Sequence, residues 1–326
     1  MTKRIALVLA LLFGSSNLWA QLNVYIIKVG QGDAIYIELP SGGNALIDGG
    51  PGGAHVTAFL KQKGVTKLDN VVLTHPHNDH YVGLQAVFKN FEVKNYYDTK
   101  MNNLESSGDE KTRALANAEP GCVTYYPSIG NKLNWDPGVD IQVLNACPSY
   151  VESHKNDKIN DCSIVLQVRY NGNSMLFMGD AEIPVEDAIM SKFGSSIKSV
   201  ILKVAHHGAR YASSDKFLAV VEPKYAYISV GLHNNFGHPH REALDRLRAS
   251  GAAVIMTTGG TQSFTIPAPN KGIPFPAGPV INNTAVSADQ EFEDMTLTWT
   301  PSVPVDLNSY ALDQLVYSVA PEDAVK

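Results

Sequence analysis

Few folds accommodate three histidines and an aspartate within six consecutive positions at the end of a buried strand. Val71-Val72-Leu73 is continuously apolar, as in a strand covered on both faces. It runs directly into Thr74-His75-Pro76-His77-Asn78-Asp79-His80. Imidazoles suit zinc, manganese or iron, and a neighbouring carboxylate lets a second cation bind close by. Four such side chains do not all reach one ion. The spacing therefore reads as two adjacent metal positions, with His75 and His77 facing one way and Asp79 and His80 another.

Two further strand ends carry the same chemistry. The apolar run Ser174 to Met178 leads to Gly179-Asp180, where a carboxylate is placed to bridge two cations. Val200 to Val204 leads to Ala205-His206-His207-Gly208, which offers one histidine as a ligand and the other near substrate. Open sheets gather function at one edge, so these three strand ends reinforce each other.

The rest of the pattern alternates strands with helices. Leu22 to Leu39 reads as two strands around Gly30-Gln31-Gly32-Asp33, and Asn44 to Asp48 as a third. Ala54 to Gly64 has helical spacing closed by glycine, and a helix with Leu84, Val87, Phe88 and Phe91 inside follows the histidine cluster. Residues 95 to 140 are polar and read as an irregular, substrate-facing insertion with one strand near Val123 to Tyr126. Strands are expected at Ile141–Leu144, Ile164–Arg169, Tyr225–Val230, Ala253–Thr257 and Ser263–Ile266, with helices at Val185–Phe193 and Arg241–Ser250. Beyond Pro267 the composition shifts to Pro, Asn and Gly. The expected organisation is a signal over 1–20, one domain over 21–266 and an extension of unassigned role over 267–326, with a strand-like piece at Met295–Trp299.

Lys3 and Arg4 followed by the apolar run Ile5 to Phe13 have the form of an export signal. The expected location is periplasmic or secreted. Removing those two cations takes the net charge from −6 to about −8, which supplies no basic patch for gripping a nucleic-acid backbone. Bound cations would change the local field of a site, so a nuclease is not excluded. No later stretch is apolar enough to span a membrane. Of Cys122, Cys147 and Cys162, two are expected to pair in an oxidising compartment.

Asp48, the cluster from His75 to His80, Asp180 and His206/His207, in that order, resemble the metallo-β-lactamase superfamily. Val29-Gly30-Gln31-Gly32-Asp33-Ala34, Leu46-Ile47-Asp48-Gly49-Gly50, Leu202 to Gly208 and Asn235-Phe236-Gly237-His238-Pro239 resemble more closely the ComEC-type hydrolase domain of DNA-uptake proteins. The resemblance implies a four-layer αβ/βα sandwich of the α/β class. It also implies two divalent ions, zinc or manganese, held by His75, His77, Asp79, His80, Asp180 and His206 or His207. Such ions supply hydroxide near neutral pH. Asp79 would orient or deprotonate the water, and Asp48 would orient ligands from behind or touch the second ion. One departure stands out. The family's histidine between the first motif and the bridging aspartate is missing, since the only histidine there is His154, in a polar loop. Asn160, Asp161 or water would fill that place.

His238, just before the helix at Arg241, is expected to donate to a substrate phosphate or leaving group, beside a helix N-terminus that favours anions; a plain surface turn is the alternative. Asp33 and Lys203 also match the branch, although turn and salt-bridge roles serve them equally, and His55 and His233 read as surface residues. The leading expectation is hydrolysis of a phosphodiester, in nucleic acid or an envelope polymer. The alternatives are hydrolysis of a lactone, thioester or β-lactam, and a binding protein without turnover.

Overall fold

The computed structural model describes residues 21–147, 151–153 and 155–269. The expected signal, His154 and the segment with Met295–Trp299 lie outside these residues. Among the described residues, thirteen strands form the two large sheets. The first seven in the chain are β1 (Leu22–Ile26), β2 (Ile35–Glu38), β3 (Asn44–Ile47), β4 (Asn70–Val72), β5 (Asn95–Tyr97), β6 (Val123–Tyr125) and β7 (Asp140–Asn145). They are followed by β8 (Val165–Tyr170), β9 (Asn173–Phe177), β10 (Ile201–Lys203), β11 (Tyr225–Ile228), β12 (Ala253–Met256) and β13 (Gln262–Ile266). One sheet has the order β13-β1-β2-β3-β4-β5-β6 and the other β7-β8-β9-β10-β11-β12.

Each sheet has an antiparallel part and a parallel part. β3 through β6 run parallel, as do β9 through β12. The chain reaches the first parallel run through α1 (Gly53–Gln62) and α2 (Asn78–Asn90), and later passes α3 (Gly108–Ala118) and α4 (Asn156–Asp161). α5 (Ile183–Phe193), α6 (Asp215–Val221) and α7 (Arg241–Ala249) connect the second parallel run.

Strand alternation sorts the apolar residues into three layers. Val24 and Ile26 of β1 join Ile141, Val143, Leu166 and Phe177 between the sheets. Leu46 and Val71 face outward and pack on Val56 and Leu60 of α1 and Leu84, Val87 and Phe88 of α2. Leu176, Leu202 and Ala226 do the same against Val185, Ile189, Phe217 and Leu247 of α5, α6 and α7. Burying each large side chain contributes roughly 1.5–3 kcal/mol. The result is the expected four-layer αβ/βα sandwich.

One expectation fails. Residues 95 to 140 are not an irregular insertion, because they contribute β5, α3 and β6 to the sandwich. Tyr96 of β5 is fully buried. Beyond it, Arg113 of α3 donates from Nε to Asp98 at 2.5 Å and from Nη1 to Asp109 at 2.9 Å. Both carboxylates are fully buried, so the guanidinium ties this segment inward.

α2 approaches the loop after β3 at backbone distance. Gly49 N–H donates to the His80 carbonyl at 2.8 Å, and Gly83 N–H to the Gly50 carbonyl at 2.9 Å. A Cβ on Gly83 would lie 1.7 Å from the Gly49 carbonyl oxygen. Only paired glycines allow this approach, and it brings His80 of α2 onto Asp48.

Candidate metal centre

The parallel strands of both sheets deliver their C-terminal ends to one place. β3 ends at Asp48, β4 runs into Thr74 and His75, β9 into Gly179-Asp180, and β10 into His206-His207. α2 starts inside the histidine cluster, which carries Asp79 and His80 on its first turn.

Asp180 lies at the centre. Its Oδ2 is 3.7 Å from His75 Nε2, 3.4 Å from His80 Nε2 and 3.5 Å from His207 Nε2. Two donor groups share it, each with ligand atoms within 4.8 Å of one another: His75, His77 and Asp180, and Asp79, His80, Asp180 and His207. His75 Nε2 and His77 Nδ1 are 3.0 Å apart. Asp79 Oδ2 is 3.2 Å from His207 Nε2, and its Oδ1 is 3.9 Å from His80 Nε2.

Three imidazoles are tethered in the same way. His80 Nδ1 donates to Asp48 Oδ2 at 2.8 Å, and His207 Nδ1 to the Ser229 carbonyl at 2.8 Å. The Thr74 hydroxyl donates to Asp48 Oδ2, so it accepts from His75 Nδ1 at 3.1 Å. Holding Nδ1–H fixes the tautomer and turns Nε2 toward Asp180. Asp48 therefore stands behind His80 and Thr74, also accepting the Thr74 N–H at 2.8 Å.

His206 and His207 both take left-handed backbone, at φ 46° and 53°. That conformation is costly without glycine and persists where the surroundings impose it. It aims the two rings differently. His207 meets both Asp79 and Asp180, whereas His206 Nε2 stops 3.9 Å from Asp180 and its Nδ1 lies 3.1 Å from Glu182 Oε1.

Electrostatics divide the cluster. Burial drives the His75 and His77 imidazoles below their usual range, well below for His75. At His80, Asp180, Asp48 and Asp79 outweigh burial and hold the ring well above it, and Asp180 and Asp79 raise His207 likewise. Asp180 and Asp79 are held low in return, chiefly by the surrounding histidines, against the cost of burial.

The donor set fits divalent cations. Among the described residues, His77 Nε2, His80 Nε2, His207 Nε2 and Asp180 Oδ1 are buried atoms that make no hydrogen bond. Buried polar atoms rarely stay unpaired, and a cation held by Asp79, His80, Asp180 and His207 would engage the Nε2 atoms of both His80 and His207.

Asn160 sits behind the centre, with Nδ2 donating to Glu182 Oε1 at 3.0 Å, and the Asp161 carbonyl accepts from Asn145 at 2.9 Å. Asp33 is paired with Lys203 at 2.7 Å, both buried. His55 and His233 are exposed. Cys147 and Cys162 form the disulfide, which leaves Cys122 free.

His238 lies at the rim, its ring 5.2 Å from that of His206 and stacked on the exposed Phe236 at 5.7 Å. Gln31 fixes its tautomer. Gln31 Oε1 accepts the Gly231 N–H at 3.2 Å, so its amide nitrogen is the group that donates to His238 Nδ1 at 3.3 Å. The ring's own proton is then on Nε2. Burial and the neighbouring histidines lower His238 to about 4, so it is a neutral N–H donor near pH 7. Asn234 pins the loop, accepting from His238 N–H at 3.0 Å and donating to its carbonyl at 2.7 Å. Neither Gln31 nor Glu182 was assigned a role from sequence. Glu182 stands two residues after Asp180, and that spacing was its only signal.

Residues 27–144 match the family described as the metallo-beta-lactamase superfamily. ComE operon protein 3 of Bacillus subtilis is 30% identical over 269 residues, covering 77% of this chain and 34% of the relative. Competence protein ComA of Neisseria gonorrhoeae is 31% identical over 241 residues, 72% of this chain and 30% of the relative. Recombination protein 2 of Haemophilus influenzae is 29% identical over 238 residues, 71% and 27% respectively. The chain thus spans about a third of the length of these relatives. Among solved structures, a metallo hydrolase from Ignicoccus hospitalis aligns at TM-score 0.48 and 18% identity, over 74% of this chain and 98% of that one. Among the described residues no helix is long and apolar enough to cross a membrane. The chain carries a domain of the metallo-β-lactamase superfamily, similar to the ComEC-type relatives.

Proposed function

We propose that this metallo-β-lactamase superfamily chain is an exported, metal-dependent phosphodiesterase that acts on DNA or a related phosphodiester polymer. The observation that carries the reading is the sharing of Asp180 Oδ2 by His75, His80 and His207, with the buried Nε2 atoms of His80 and His207 left without a hydrogen bond. His75, His77 and Asp180 would hold one divalent ion, and Asp79, His80, Asp180 and His207 the other. Such ions, zinc or manganese, supply Lewis acidity to a phosphoryl oxygen and acidify water.

The chain's own residues then take separate parts. Asp48, Thr74 and the Ser229 carbonyl orient the imidazoles. Asp79 is 28% exposed, where Asp180, His80 and His207 are closed, so its carboxylate can meet incoming water and accept or orient a proton. His238, neutral with its proton on Nε2, donates a hydrogen bond to a non-bridging phosphate oxygen and does not protonate the leaving group. The names of the relatives, a competence protein and a recombination protein, direct the substrate to DNA. The disulfide between Cys147 and Cys162 agrees with export to an oxidising compartment.

The test is hydrolysis of bis(p-nitrophenyl) phosphate against a chromogenic lactone and β-lactam, with manganese or zinc. Asp79→Ala is the control. Metal-dependent diester cleavage, lost in the variant, is expected. Turnover of the carbonyl substrates alone would replace this reading.

A further inference from the structure

The His75, His77 and Asp180 group has one donor fewer than its neighbour. In the chain, the segment before β8 takes the place of the missing family histidine. It ends in Asn160 and Ser163, and Ser163 Oγ accepts the Asp180 N–H at 3.1 Å. The Asn160 side chain reaches Glu182 rather than a second histidine. Glu182 Oε1 receives two donors, Asn160 Nδ2 at 3.0 Å and His206 Nδ1 at 3.1 Å.

We infer that Glu182 is a positioning residue that turns His206 into the missing fourth donor of the His75–His77–Asp180 ion. His206 follows the rule that His75, His80 and His207 obey: Nδ1 held by an oxygen, Nε2 left facing Asp180, here at 3.9 Å. A carboxylate behind a ligating histidine fixes its tautomer and raises its basicity. The left-handed backbone at both His206 and His207 splits the pair, so that one ring serves each ion. Asn160, in turn, holds Glu182 in place.

The inference rests on the two-ion reading but not on the identity of the substrate. Its test is manganese binding to the metal-free protein, followed by calorimetry, with cobalt(II) absorption as a second readout. Wild type is expected to bind two ions. His206→Asn, whose side chain tolerates the left-handed backbone, should bind one tightly and lose the other. Glu182→Ala should weaken that same ion about 10–100-fold, and Glu182→Gln, which keeps an accepting oxygen, less than Ala. The cobalt bands of the affected ion should change in step, while thermal melting of the metal-free variants matches wild type. Two ions bound with unchanged affinities in His206→Asn and Glu182→Ala would overturn this inference alone. Loss of the ion in Asn160→Ala but not in His206→Asn would overturn it as well, and would give the donor role to Asn160. A wild-type protein that binds a single ion would overturn the two-ion reading together with it.

Discussion

Gly83→Ala tests whether the centre depends on backbone contact between α2 and the loop after β3. Two effects oppose each other. Alanine is about 1 kcal/mol better than glycine inside a helix, so on local grounds the change should stabilise. Against this, the new Cβ would fall 1.7 Å from the Gly49 oxygen, half of an ordinary van der Waals separation of 3.4 Å or more. Backbone lies on both sides, so no side chain can swing away. The helix must retreat, which strains packing by about 1–3 kcal/mol. The bonds Gly49 N–H to His80 and Gly83 N–H to Gly50 would be lost, at about 0.5–1.5 kcal/mol each. The net expectation is a loss of about 3 kcal/mol, or roughly 6–12 °C in melting temperature at about 2–4 °C per kcal/mol for a domain of this size. Retreat of α2 also pulls His80 from Asp48, so manganese affinity should fall in the same variant. Urea unfolding of the metal-free protein, with calorimetry for metal, measures both. A variant as stable as wild type, or more stable by the propensity difference, would refute the reasoning.

Lys203→Met leaves the Asp33 carboxylate buried without its cation, beside His207 Nδ1 at 3.5 Å. It should cost about 3–5 kcal/mol in urea unfolding, and adding Asp33→Asn should recover much of that; strictly additive losses would contradict the pairing. Metal loading should depend on pH in a stated direction. Asp180 and its carboxylate neighbours raise His80 and His207, so both rings keep their protons to higher pH than a free histidine, and a cation must displace them. Affinity should therefore rise with pH and fall by up to tenfold per unit and per displaced proton as pH drops below the raised values. Calorimetry at pH 7 in buffers of different ionisation enthalpy should show proton release, and identical heats in all of them would count against it.

The ligand side chains were legible because they lie in short contiguous runs at the ends of apolar strands. Val71 to Leu73 and Ser174 to Met178 announce buried strands, and the residues after them can only sit at the sheet edge. The segment 95–140 was misread for the opposite reason. β5 is three residues long and starts with Asn95, and α3 turns Asp109, Thr112 and Ala116 inward rather than large apolar groups. Its burial is driven by Arg113 and two carboxylates, which periodicity does not register. The division of labour between His206 and His207 was out of reach because adjacent residues part only through backbone angles. The roles of Gln31 and Glu182 depend on contacts across 207 and 24 residues of chain, as does the choice of Cys147 and Cys162 over Cys122 across 15.

The most direct measurement of the central claim is an anomalous-scattering map from crystals loaded with manganese. The account predicts two peaks flanking Asp180, one beside His75 and His77 and the other beside Asp79, His80 and His207. A single peak, or manganese bound away from Asp180, would contradict it.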